Sequence, residues 1–187
     1  MYEMISHNKQ NYAFLEGPIG ALETSFDYDK GNYKAKNIKP SQGLRAFGRA
    51  YAAWLASHEW FRQELWRKMG ANSLQEWLYP APGNGPFESW DPEDLLVLAR
   101  MWQAGDVGTV AGDGDYKKAL EGVSARVLVM PGKTDQYFPP EDGENEVKYL
   151  KEGVFEPIPS IWGHMAGGGA NEEDTKWMHE KIAAFLK

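Results

Sequence analysis

Two short apolar runs near the C-terminal end, each opening into a turn-rich loop and then a helix-like stretch, restrict the fold more than any other part of this sequence. The first, Arg126-Val127-Leu128-Val129-Met130, is almost wholly apolar, the pattern of a strand covered on both faces in a parallel sheet. It ends in Pro131-Gly132-Lys133-Thr134-Asp135. A helix-compatible segment follows over 141–151, and Val154 to Ile158 reads as a second strand stopped by Pro159. Beyond the run Gly167-Gly168-Gly169, Asn171 is expected to cap a last helix, with Glu172, Glu173 and Asp174 in its first turn and Trp177, Met178, Ile182 and Phe185 on its apolar side. Strand, helix, strand, helix is the order of an α/β sandwich with a right-handed crossover.

Ahead of this part the texture is helical. In 43–69, Leu44, Phe47, Tyr51, Trp54, Phe61 and Leu65 recur at helical spacing, which predicts one or two amphipathic helices with His58 on the apolar stripe as a packed or capping side chain, the alternative being a pocket-lining one. A shorter helix is expected over 73–79. The run Pro80-Ala81-Pro82-Gly83-Asn84-Gly85-Pro86 reads as a mobile, lid-like loop. Asp91-Pro92-Glu93-Asp94 supplies an N-cap, a first-turn proline and two carboxylates, a helix start that Gly105 closes. Gly112-Asp113-Gly114-Asp115 precedes a short helix around 116–120, and its carboxylate spacing differs from that of a calcium loop, so no metal site is assigned. No strand-like run occurs between 43 and 120. Residues 1–40 read as mixed, with a turn at Gly17-Pro18 and a solvated lysine loop (Lys30, Lys34, Lys36, Lys39).

Length and charge bound the function classes. The 187 residues suit about one domain. With 20 basic against 27 acidic residues, a net charge of −7, a general nucleic-acid binder is not expected. The chain has no cysteine, which excludes disulfides, thiolate zinc sites and a Cys nucleophile. No apolar run has bilayer-spanning length and the first residues do not form a leader, so the expectation is a cytoplasmic protein without membrane contact. Eight Trp residues suit a deep core or a lined pocket. No bound cofactor is expected.

The chemistry gathers beyond the carboxyl ends of the two strands, where ligands collect in open parallel sheets. Asp135 follows the first strand and His164 the second. If these strands pair, their loops lie side by side and the carboxylate can orient an imidazole that takes a proton from a serine nucleophile. The alternative is a surface Asp and a capping or core His. The glycine run beside His164 is explained by turn geometry rather than by a phosphate cradle.

The stretch VLVMPGKTDQYFPPED resembles the acid loop of the homoserine O-acetyltransferase-like branch of the α/β-hydrolase superfamily, and IPSIWGHMAGGG resembles its histidine loop. GLRAFGRAYAAWLASHEWF is similar to the first helix of that branch's lid, and YAFLEGPIGAL weakly to the segment before it. The resemblance implies a partial α/β-hydrolase fold: a short parallel sheet flanked by helices, with a helical lid insertion. It divides the chain into a core-sheet remnant with its loop (1–40), the lid (41–121) and the C-terminal α/β part of the core (122–187). Asp135 carries over as the acid and His164 as the general base. The function implied is acyl transfer through a Ser-Asp-His triad to a small-molecule alcohol, with acyl-CoA or an ester as donor; the alternatives are an esterase or a non-catalytic remnant that binds a partner. A homodimer through the lid helices is expected by the same analogy.

Three departures qualify that carry-over. No serine stands in the G-x-S-x-G elbow that carries the nucleophile in this superfamily. Ser6 falls in the corresponding region, but no strand-like run enters it, so the nucleophile and oxyanion hole are expected upstream of Met1 and the chain is expected to be inactive alone. The homoserine enzymes carry G-L-x-x-A-R, whose Arg holds a substrate carboxylate, whereas here Gly43-Leu44-Arg45-Ala46-Phe47-Gly48-Arg49 displaces it by one position, about 100° around a helix. Met165 replaces the acidic residue that commonly follows the histidine. An acceptor less polar than an amino acid is therefore expected.

Overall fold

A computed structural model describes residues 9–187; Ser6, the one serine considered for the nucleophile's region, lies outside the described residues. The element order is α1 (Lys9–Glu23), α2 (Ser41–Ala52), α3 (His58–Arg62), α4 (Leu74–Leu78), α5 (Pro92–Ala104), α6 (Val107–Ala111), α7 (Tyr116–Glu121), β1 (Val127–Val129), α8 (Pro140–Val147), β2 (Gly153–Phe155) and α9 (Glu172–Phe185), with 3-10 turns at Asp29–Gly31, Leu65–Met69 and Gly163–Gly168. The described chain forms two compact units, one of residues 9–53 and 64–105, the other of 54–63 and 106–187. Residues 54–63 and 106–121 group with the C-terminal part.

The first unit is helical. Gly17-Pro18 does not make a turn; it lies inside α1, whose buried residues Asn11, Phe14, Leu15, Pro18, Ile19 and Leu22 form one stripe at helical spacing. An interior proline costs a helix about 3 kcal/mol. Burying Phe14, Leu15, Ile19 and Leu22 offsets it, at about 1.5–3 kcal/mol per side chain. Packing of the stripe, chiefly against α2, therefore overrides the local Gly-Pro signal. Asp91 caps α5 as expected, accepting from Glu93 N at 2.9 Å. Its Oδ1 also accepts from the Tyr33 hydroxyl at 2.8 Å, and Tyr28 donates to Glu93 at 2.7 Å. These bonds hold the lysine-rich segment to the start of α5 while Lys30, Lys34, Lys36 and Lys39 stay exposed.

The loop read as mobile is organised around a buried carboxylate. Glu88, 4% exposed, accepts from Gly83 N (2.9 Å) and Gly85 N (3.1 Å). Arg45 approaches it at 3.8 Å and donates to Pro80 O at 3.1 Å.

In the second unit β1 and β2 pair in parallel, with Val127 opposite Gly153, Leu128 opposite Val154 and Val129 opposite Phe155. A bridge between Gly132 and Ile158 extends the register. Pro131 has no N–H to give a ladder, which ends β1 where the sequence turns to proline and glycine. The strands are only half-buried, not covered on both faces as expected, while Met130 and Ile158 beyond them are buried. Every regular element described between 41 and 121 is helical. Of the one or two helices expected in 43–69, two form: α2 stops at Ala52, and α3 opens only after Ser57, which caps it by accepting from Trp60 N at 3.1 Å. His58 is exposed as the first residue of α3 rather than packed or capping. Asn171 stands at the start of α9 without a side-chain cap bond.

Candidate active site

The bond from Lys133 N to Ile158 O (2.9 Å) and that from Ile158 N to Pro131 O (2.8 Å) carry the parallel pairing past the strands and set the two loops beside each other. Asp135 then closes a tight turn, its N–H donating to Gly132 O at 3.0 Å. Its side chain is nearly inaccessible, 7% exposed for the whole residue. A carboxylate so buried must find partners, and both oxygens do. Oδ1 accepts from Tyr137 N (2.8 Å) and Phe138 N (3.2 Å), an Asx-type grip on its own loop. Oδ2 stands 2.9 Å from His164 Nδ1.

The structure therefore brings the two sequence-chosen residues together within ordinary hydrogen-bond distance. With both acceptors engaged, the carboxylate cannot swing away, and a neutral imidazole against it carries its proton on Nδ1. Tyr137 meets the His164 ring edge-on, centroids 4.9 Å apart, and Phe138 lies tilted against it at 5.5 Å. The His164 side chain keeps 36% of its surface open, enough to meet a second reactant.

The backbone under His164 is clamped. Gly163 has φ +62, and a Cβ there would lie 2.8 Å from Leu55 O and 2.9 Å from Ala56 Cα. Only glycine permits that approach. It lets His164 N donate to Leu55 O at 3.0 Å, while Ser57 Oγ donates to Ile161 O at 2.5 Å. Ser160, 5% exposed, donates to the buried Asp174 carboxylate at 2.5 Å and accepts from Trp162 N at 3.1 Å. Trp162 and Trp60 pack edge to face at 6.2 Å. Met165, within the turn, is buried, and Gly169 adopts the left-handed conformation that ends it.

Sequence reasoning missed the segment 54–57, because an apolar helical period ran through it. Ser57 three residues before Trp60 was the available signal, a hydroxyl placed to cap a new helix. It missed Asp174 as well, which reads as an ordinary first-turn acid. Ser57 and Ser160 both spend their hydroxyl protons on structural acceptors. Among the described residues no group of three or more His, Asp or Glu side chains is placed to hold a metal ion, and no helix is long and apolar enough to cross a membrane.

No protein-family model matches the chain. Among curated proteins it is similar to an ethyl acetate hydrolase of Pseudomonas veronii, 29% identical over 186 residues, which cover 96% of this chain and 51% of that protein. It is also similar to a homoserine O-succinyltransferase of Cupriavidus metallidurans, 27% identical over 150 residues, covering 75% of this chain and 38% of the other. A solved acetylester hydrolase from Corynebacterium glutamicum matches with a TM-score of 0.84 at 29% identity, over 95% of this chain and 50% of that one. The chain spans about half the length of the curated relatives it matches.

Proposed function

We propose, for a chain that carries part of the α/β-hydrolase fold in the branch holding esterases and homoserine O-acyltransferases, that it supplies the acid and the base of an ester-handling site. The observation that carries this reading is the 2.9 Å contact of His164 Nδ1 with a buried carboxylate whose other oxygen is fixed by two backbone amides. Asp135 sets the tautomer, so Nε2 receives the proton. A serine oxygen attacks the ester carbonyl as its proton passes to Nε2, and the imidazolium so formed is stabilised by Asp135. Collapse of the tetrahedral intermediate breaks the bond to the alcohol, which leaves with the proton from Nε2. The acyl-serine is then cleared by water, or by a second alcohol, with His164 taking the incoming proton.

The serine is assigned outside the described residues, because no serine of this sequence stands in a G-x-S-x-G elbow and Ser57 and Ser160, which flank the histidine loop, are bound into the loops they support. Hydrolysis of a short-chain ester is the acceptor reading favoured here. Arg49, displaced by one position, lies over the Tyr79 ring at 5.0 Å from its centroid, and Met165 is buried and uncharged, so neither stands as the acceptor-binding group of the homoserine enzymes. Transfer to an alcohol, with acyl-CoA as donor, is the second reading, supported by the likeness to homoserine O-acyltransferases. The test is turnover of a nitrophenyl acetate ester by the chain alone and co-expressed with the part of the Pseudomonas veronii ethyl acetate hydrolase that this chain does not match. Alone, the chain should match its His164→Ala variant; together, turnover should appear and require His164. Turnover in the co-expressed pair that survives His164→Ala contradicts the proposal.

A further inference from the structure

The two residues flanking Asp135 each reach out of the acid loop and grip something that sets the position of His164. Thr134, just before the acid, donates its hydroxyl to Ser160 O at 2.9 Å and accepts from Gly163 N at 3.2 Å. Gly163 is the residue just before the histidine. One hydroxyl therefore spans the two loops at the position preceding each member of the pair. Gln136, just after the acid, donates from Nε2 to Ala56 O at 2.9 Å. Ala56 lies between Leu55, whose carbonyl takes the His164 N–H, and Ser57, whose hydroxyl holds Ile161 O. The segment 55–57 is thus a strap that touches the acid loop through Gln136 and the histidine loop at two points. A bond made directly between loops and a bond made through a shared strap close the same gap from opposite flanks.

We infer that Thr134 and Gln136 are positioning residues that set the separation and orientation of the Asp135–His164 pair. This rests on the reading of that pair given above. In the bonds described, Thr134 acts on the backbone that leads into His164, and Gln136 on the strap to which that backbone is bonded. Without the Thr134 hydroxyl, Gly163 N and Ser160 O lose the group that joins them to the acid loop, and the histidine loop can drift by the few tenths of an ångström that separate a bond from a contact.

The experiment uses the 187-residue chain with 15N-labelled histidine imidazoles and follows the His164 Hδ1 proton, whose exchange with water reports the bond to Asp135. Folding of each variant is checked by its amide spectrum. In the parent chain a low-field, slowly exchanging Hδ1 is expected, and Asp135→Asn should abolish it. Thr134→Val, which keeps shape and loses the hydroxyl, should speed Hδ1 exchange about fivefold to thirtyfold, the factor for one or two kcal/mol of lost orientation. Thr134→Ser should restore the parent rate. Gln136→Leu should act in the same direction and serves if Thr134→Val does not fold. Unchanged Hδ1 exchange in a folded Thr134→Val or Gln136→Leu chain, with the signal still lost in Asp135→Asn, overturns the positioning role and leaves the pair intact. A parent signal indifferent to Asp135→Asn overturns the pair itself.

Discussion

Each unit of the molecule contains a buried carboxylate that binds two amides of a turn-rich loop. In the α/β unit Asp135 takes Tyr137 N and Phe138 N; in the helical unit Glu88 takes Gly83 N and Gly85 N. Their exposures are alike, 7% and 4%. What differs is the third partner. Asp135 faces an imidazole at 2.9 Å, a side chain that can both donate and accept a proton, whereas Glu88 faces the Arg45 guanidinium at 3.8 Å, a donor only. A buried, amide-bound carboxylate is thus a loop-building device in both places. The partner decides whether it also has chemistry to direct.

The sharpest way to break this comparison is to remove the partner that is assigned chemistry. His164→Ala should lower ester turnover of the co-expressed enzyme by about 10⁶-fold, as for a base that acts as a unit with its serine, measured as kcat/KM on the nitrophenyl ester. A loss below about tenfold would place His164 with the structural partners.

The matched amides come next. Asp135→Asn leaves a side chain of the same shape but presents the wrong tautomer to the ring, and should cost about 10⁴-fold in kcat. Glu88→Gln makes the same exchange in the other unit. It should cost about 2 kcal/mol of stability through a weakened charged hydrogen bond, read from the urea midpoint, while the His164-dependent rate of folded molecules stays. If Glu88→Gln removes turnover without unfolding the chain, the two carboxylates are not distinguished by their partners.

Smaller effects test the scaffold under the pair. Gly163→Ala forces a Cβ into the left-handed region and against Leu55 O, and should destabilise the folded chain by about 2 kcal/mol. His58→Ala, at an exposed position, should change stability by less than about 0.5 kcal/mol.

Much of the α/β unit was legible in sequence because its signals are local. An apolar run, a proline-glycine stop and a downstream acid or histidine already describe strand, loop and site, and the parallel pairing follows from their order. The resemblance to a known branch added which residues to choose. What sequence hid was tertiary. Gly17-Pro18 carries a turn signal, yet burial of Phe14, Leu15, Ile19 and Leu22 keeps it helical. The apolar residues of 43–69 share a helical period, yet the backbone of 55–57 must leave the helix so that Leu55 O and Ala56 O can face the two loops. Asp174 and Glu88 look like solvated acids until the fold buries them. The half-buried strands are the converse case, apolar residues that this sheet leaves partly uncovered.

The central claim is that His164 and Asp135 activate a serine supplied from outside the described residues. Fluorophosphonate labelling with mass-spectrometric location of the adduct tests it most directly, on the 187-residue chain alone and on the co-expressed pair. The expected result is no adduct on the chain alone, and in the pair an adduct on a serine of the complementary half that disappears with His164→Ala. An adduct on Ser57, Ser160 or another described serine of this chain, abolished by His164→Ala, would contradict the account.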